Sequence, residues 1–179
     1  MSGSRRRRIV GVMGSSSERH DELAAPLGRW LAESGYDLLT GGGGGVMAAV
    51  SEAFSKVEGR PGIVIGVVPG TIDDQGRYVA YPEYPNQWVE VAIRTHLPLR
   101  GARGSEPMSR NHINVLSSDV VIALPGSEGT LSEIELALRY GKPVAAFVGA
   151  GAVFPGLPDG VPRLRDLVAV EEFIEAALE

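Results

Sequence analysis

The chain contains no cysteine among its 179 residues. That excludes disulfide scaffolds, zinc ribbons, thiol catalysis and iron–sulfur clusters together. Its three histidines, His20, His96 and His112, are scattered and no HExxH occurs, so no metal site is expected. Lysine is nearly absent: Lys56 and Lys142 stand against 15 arginines. Neither lysine sits in a GxxxxGK[ST] context, which rules out a P-loop. No GxSxG elbow is present, because Ser127 lies in Gly-Ser-Glu-Gly. Long apolar runs are missing too. The longest, Pro143–Leu157, is interrupted by Gly149, Gly151, Pro155 and Gly156 and falls short of the ~20 residues of a spanning helix. The apolar stretch after the basic run Arg5–Arg8 is shorter than the roughly 7–15 residues of a signal peptide. Residues 1–7 therefore read as a disordered, solvated basic tail, and the expected location is the cytoplasm. The net charge of −5 gives no basic footprint, so neither nucleic acid nor a membrane is an expected partner.

Glycine, by contrast, is abundant: 24 residues, nearly twice the usual share of about 7%. Much of it falls between short β-branched runs and helical periods. Arg8–Met13 reads as a first strand. His20–Ser34 reads as a helix, with Pro26 either near its start or kinking it. Tyr36–Thr40 is a second strand, Val46–Val57 a helical stripe, and Gly62–Val68 a third strand closed by Pro69-Gly70. Thr71–Gln87 breaks the pattern and reads as a loop leaving the sheet. Strands over Trp88–Thr95, Asp119–Leu124, Lys142–Val148 and Leu167–Val170 follow, with helices over Glu106–Ser118, Thr130–Tyr140 and Glu171–Leu178. This alternation predicts an α/β fold of one domain over 1–179, a doubly wound parallel sheet with helices on both faces.

In such sheets, ligands bind beyond the carboxyl ends of the strands. Three strand ends open into small-residue loops: Gly14-Ser15-Ser16-Ser17, Gly41–Gly45, and Pro125-Gly126-Ser127-Glu128-Gly129-Thr130. Backbone N–H groups at helix N-termini, unobstructed by Cβ atoms, form anion sites. Three such loops on one edge point to a phosphate-bearing ligand. The residues expected to hold it are Gly14 and Ser15 in the first loop and Gly42, Gly43, Gly44 and Gly45 in the second. The third loop adds Pro125, Gly126, Ser127, Gly129 and Thr130. Gly43–Ala48 fits a dinucleotide fingerprint, but it follows the second strand and no acidic residue ends the next, so NAD is disfavoured. Thr130-Leu131-Ser132-Glu133 has the form of a capping box, with Glu133 reaching back to the Thr130 amide. Arg110 falls within the helical run Glu106–Ser118.

Thr40–Met47 (TGGGGGVM), Arg110 and Pro125–Glu133 (PGSEGTLSE) together resemble the LOG family, whose motif is PGGxGTxxE with an arginine some fifteen residues upstream. Here Arg110 stands fifteen residues before Pro125. The resemblance covers the element order from the first strand to Val148. It implies a Rossmann-like fold, a homodimer or larger homo-oligomer, and cleavage of a nucleoside 5′-monophosphate, such as a cytokinin riboside monophosphate, to free base and ribose 5-phosphate. It also implies Arg110 and Glu133 as catalytic residues, Gly126, Gly129 and Thr130 as phosphate ligands, Gly42, Gly43, Gly44 and Gly45 as nucleotide contacts, and no cofactor. Family members have often been labelled lysine decarboxylases, but neither Lys56 nor Lys142 is placed to form a pyridoxal Schiff base. Three departures, Ser127 at the second motif glycine, Asn111 after Arg110 and the Thr71–Ser109 region, look more like a sister branch that includes molybdenum-cofactor carrier proteins. The alternative function is therefore a non-hydrolytic carrier of a phosphorylated heterocycle.

Overall fold

A computed structural model describes residues 6–151 and 153–179. Its central strands are short and apolar: β1 (Ile9–Met13), β2 (Asp37–Thr40), β6 (Val120–Ala123) and β7 (Val144–Phe147). Nearly every residue in them is buried, as parallel strands covered on both faces require. With β3 (Val64–Ile72) and β8 (Arg163–Leu164) they run in the order β3-β2-β1-β6-β7-β8, all parallel. A further strand, β5 (Val91–Thr95), adds in parallel to β3.

Alternate side chains of each strand feed two cores. Val10, Val12 and Ile122 face α1 (Asp21–Glu33), α2 (Gly45–Ser55) and α5 (Leu167–Leu178) through Leu27, Phe54 and Ile174. Met13, Val121 and Ala123 face α3 (Asn111–Ser117) and α4 (Glu128–Arg139) through Val115, Ile134 and Leu136. The doubly wound α/β Rossmann-like architecture is thus present. The chain leaves β1 toward β2 on one side and returns through β6 on the other. The switch point lies at the carboxyl ends of β1 and β6.

Several local readings need correction. β3 continues through Pro69-Gly70 instead of stopping there. Pairing with β2 ends at Gly66, so the missing N–H of Pro69 leaves no bond unmade on that side. The segment after it includes a hairpin rather than only a loop. β4 (Tyr78–Ala80) returns antiparallel to Gly70–Ile72, its turn held by Asp73, which accepts from the Gln75 and Arg77 amides. Leu167–Val170 is the first turn of α5, not a strand, because Asp166 caps that helix by accepting from the Ala169 amide at 2.9 Å. Pro26 lies inside α1, not at its start. Of the basic tail, residues 1–5 lie outside the described residues. Arg6 and Arg7, however, are paired, donating to Asp119 at 2.6 Å and Asp37 at 2.9 Å. Among the described residues, no helix is long and apolar enough to cross a membrane.

Candidate functional site

The three small-residue loops meet at the switch point. The Ser15 amide donates to the Pro125 carbonyl at 3.2 Å, and the Val46 amide donates to the Ser15 carbonyl at 2.9 Å. These bonds tie the turn after β1 to those after β6 and β2. Beside them opens a cleft of about 370 Å³ whose wall includes Gly14, Ser127, Gly129 and Thr130. Ser16, not Ser15, lines it. The turn after β2 contributes Gly41 to the wall, and not the expected Gly42, Gly43, Gly44 and Gly45. Those four glycines are closely packed. A Cβ on Gly42 would press on Val68, and one on Gly43 would meet the Tyr84 ring. Gly44, the N-cap of α2, runs beside the turn after β1, where a Cβ would lie 3.0 Å from the Ser16 carbonyl oxygen. A Cβ on Gly45 would strike the Ser15 carbonyl oxygen. Pro125 and Gly126 likewise stand behind the wall, the latter against the Thr130 hydroxyl and Ser15 amide.

The capping box does not form. α4 begins at Glu128 with Ser127 as N-cap, so Thr130 is its third residue and Glu133 its sixth. Ser127 makes no side-chain cap bond, which leaves the first-turn N–H groups free toward the cleft. Glu133 is carried into the second turn, against α3, and is only 8% exposed. There its carboxylate accepts from Asn114 Nδ2 at 2.7 Å. Burial pushes the carboxyl up to about 7, against the opposing pull of the Asn114 hydrogen bond and the Arg110 charge.

Arg110 is not a surface helix residue. The helix is shorter than the expected Glu106–Ser118 run, and Arg110 is its N-cap. Its Nη1 donates to the Val67 carbonyl at 2.7 Å and the Gly41 carbonyl at 3.0 Å. Two carbonyls thus fix the guanidinium above the strand ends. Among the described residues no carboxylate lies within 4.0 Å of it. A guanidinium offers five donors, so the remaining edge is available to an anion in the cleft.

The segment between β3 and α3 supplies residues that sequence reasoning left unplaced. Tyr84 and Arg100 both line the cleft. Tyr84 lies under the Arg110 guanidinium at 5.7 Å, and Arg100 lies over Tyr81 at 5.3 Å. A 3-10 turn at Gly101–Arg103 is pinned to α4 by the Ser132 hydroxyl, which donates to the Gly101 carbonyl at 2.8 Å. The only hint in the sequence was a cluster of tyrosines where the βα alternation fails. Asn114, the partner of Glu133, had no signal beyond its place in a helical run. The two lysines are elsewhere: Lys56 pairs with Glu52 at 2.7 Å, and Lys142 donates to the Ser118 carbonyl at 2.7 Å. Among the described residues no group of acidic or histidine side chains could hold a metal.

Known proteins share this fold. The chain is similar to the molybdenum cofactor carrier protein of Chlamydomonas reinhardtii, with 30% identity, a TM-score of 0.72, and coverage of 97% of this chain and 99% of that one. It is also similar to the molybdenum cofactor binding protein of Rippkaea orientalis, with 35% identity, a TM-score of 0.64, and coverage of 98% and 87%. A rice cytokinin riboside 5′-monophosphate phosphoribohydrolase is 35% identical over 136 residues, 73% of this chain and 48% of the rice protein. The chain thus spans about half the length of that relative. Residues 7–160 match a single family along the whole stretch that builds the cleft, and the chain belongs to that family, SLOG cluster4.

Proposed function

We propose that the chain hydrolyses the N-glycosidic bond of a nucleoside 5′-monophosphate, releasing the free base and ribose 5-phosphate. The observation that carries this reading is Glu133, a buried carboxyl pushed up to about 7 at the wall of a cleft that also presents Arg110. A group poised there is present in both protonation states at neutral pH, as proton transfer in both directions requires. The phosphate sits at the first turn of α4, where uncapped N–H groups and the helix dipole favour an anion. The C1′–N bond breaks with its electron pair passing to the base. The oxygen of a water bonds to C1′, one of its protons stays as the anomeric hydroxyl, and the other reaches the base by way of Glu133. Positive charge on the ribose in the transition state is stabilised by the Glu133 carboxylate, and the departing base or the phosphate by Arg110. Similarity to the rice phosphoribohydrolase supports the same reaction class.

A second reading is a carrier for a phosphorylated heterocycle such as molybdenum cofactor. It is favoured by the likeness to two molybdenum-cofactor proteins over 97% and 98% of the chain. The same cleft would then hold the phosphate without reaction at Glu133. Incubation with a panel of nucleoside 5′-monophosphates, scored for free base and ribose 5-phosphate, separates the two. Hydrolysis of at least one monophosphate, with the matching unphosphorylated nucleoside inert, is the expected result. If no monophosphate is cleaved while a phosphorylated pterin binds, the carrier reading replaces the first.

A further inference from the structure

The Asn114 side chain is fully buried, and its amide is only half used. Nδ2 donates to Glu133 Oε1 at 2.7 Å, while Oδ1 has no hydrogen-bond partner among the described residues. Buried polar atoms are seldom left unpaired without a role. The backbone holds Asn114 firmly on both sides: its amide donates to the Arg110 carbonyl at 3.2 Å, and its own carbonyl accepts from the Ser118 hydroxyl at 2.8 Å. The side-chain amide is therefore anchored at its root and left to turn about its last bond.

Proton counting shows what a turn would accomplish. With Glu133 ionised, the observed orientation pairs Nδ2 with the carboxylate and leaves Oδ1 unpaired. With Glu133 protonated in the same orientation, Oδ1 stays unpaired and the proton is confined to the carboxyl oxygen that faces the cleft. Turning the amide by half a revolution lets the O–H donate to Oδ1, and only Nδ2 is then unpaired. We propose that Asn114 is a two-way positioning residue for Glu133, donating through Nδ2 to the carboxylate and turning to accept through Oδ1 from the carboxylic acid. The carboxyl is thereby held in one place in both states, as a group that first gives and then takes a proton requires. The inference rests on the hydrolytic reading for its purpose, but not for its chemistry.

The surrounding charges do not supply such a device. Arg110 is the charged group whose field reaches Glu133, and it is fixed by the Gly41 and Val67 carbonyls. Tyr84 and Arg100 line the same cleft from the segment before α3. On α4, Glu128 is exposed and Glu135 pairs with Arg139. In the turn packed on α4, Arg103 pairs with Glu106. His112 of α3 is bonded to the Tyr140 hydroxyl beyond the end of α4.

The test is an NMR titration of the whole labelled protein without substrate, following the Glu133 side-chain carboxyl carbon and the Asn114 side-chain amide. The Glu133 carbon should titrate, and the Asn114 Nδ2 hydrogens should shift with the same midpoint, losing their hydrogen-bonded position as pH falls. Asn114 hydrogens that stay put through the Glu133 midpoint would overturn the proposal, since the proton would then sit on the oxygen facing the cleft. Asn114→Leu gives an independent reading. A partner serving both states should leave the Glu133 midpoint within about half a pH unit of wild type. A fixed donor to the carboxylate would let it rise by about one to two units, which counts against the turn. In the same variant kcat should fall with KM little changed. Coupled titration in a protein that cleaves no monophosphate would leave the amide turn standing and remove the hydrolytic reading alone.

Discussion

The guanidinium of Arg110 occupies the space that a side chain at Gly41 would need. A Cβ built on Gly41 would lie 2.6 Å from Arg110 Nη1 and 2.9 Å from the Met47 sulfur. The glycine loop after β2 thus admits the arginine to the cleft, and the arginine in turn bonds the Gly41 carbonyl. Gly41→Ala should displace the guanidinium and reduce activity or ligand affinity about tenfold or more, while the fold survives, because the clash falls on the movable end of a side chain. Gly45→Ala should damage the fold itself. Its φ of +57° and the Ser15 backbone behind it leave nothing flexible to give way. Parallel measurement of melting and activity in the two variants checks this contrast.

The burial of Glu133 predicts a pH-dependent cost. Its carboxyl lies near 7 in the folded chain against 4.5 for the ordinary group. Between these values the folded state holds a proton that the unfolded state has released. This contribution to stability is complete below about pH 4.5 and is lost as pH rises through about 7. The difference amounts to roughly 3 kcal/mol at most. Glu133→Gln should abolish that slope and make the protein more stable than wild type at pH 8. Urea unfolding of both proteins at pH 5 and pH 8 measures it. A wild-type curve no steeper than that of the variant would refute the perturbed carboxyl.

The same substitution tests chemistry. A neutral amide can keep the Asn114 bond but cannot stabilise a developing cation, so Glu133→Gln should lose about 10²–10³ in kcat. Arg110→Ala should lose a comparable factor and also cost about 1–3 kcal/mol of stability, because the Val67 and Gly41 carbonyls lose their donor. The double variant should be scarcely slower than the worse single one, as for residues acting as a unit. Steady-state release of ribose 5-phosphate from all three proteins provides the comparison.

Self-association is the remaining prediction. Leu116 on α3 is 51% exposed, and Leu138 and Tyr140 at the end of α4 are 48% and 38% exposed. Apolar side chains exposed together on neighbouring helix ends suit a contact with a second copy. Light scattering at micromolar concentration should give about twice 18.9 kDa or more. Leu116→Glu should lower that mass toward the monomer.

Local pattern determined much of this protein. The apolar runs of β1, β2, β6 and β7 could be only buried parallel strands, and their alternation with helical stripes dictated a doubly wound sheet. Because ligands gather at one edge of such a sheet, the strand-end loops directed attention to Gly14, Ser127, Gly129 and Thr130, and the resemblance to the LOG family added Arg110 and Glu133; all six line the cleft. Where local pattern was ambiguous it misled. Leu167–Val170 fits a strand or a helix equally until the Asp166 cap is seen. Thr130–Glu133 spells a capping box that the earlier helix start at Glu128 dissolves. A run of five glycines cannot say which of them faces a ligand, and Gly44 and its neighbours turn out to face the Ser15–Ser16 backbone, Val68 and Tyr84. What only the tertiary structure decided is what each group meets. Glu133 becomes a buried acid because α3 brings Asn114 against it from nineteen residues away. Arg110 becomes a cleft cation because two strand-end carbonyls hold it, one of them sixty-nine residues distant. Tyr84 joins them from the irregular segment after β4, which has no helical or strand period. Periodicity is set by neighbours along the chain, whereas burial, pairing and the field at a carboxyl are set by neighbours across the fold.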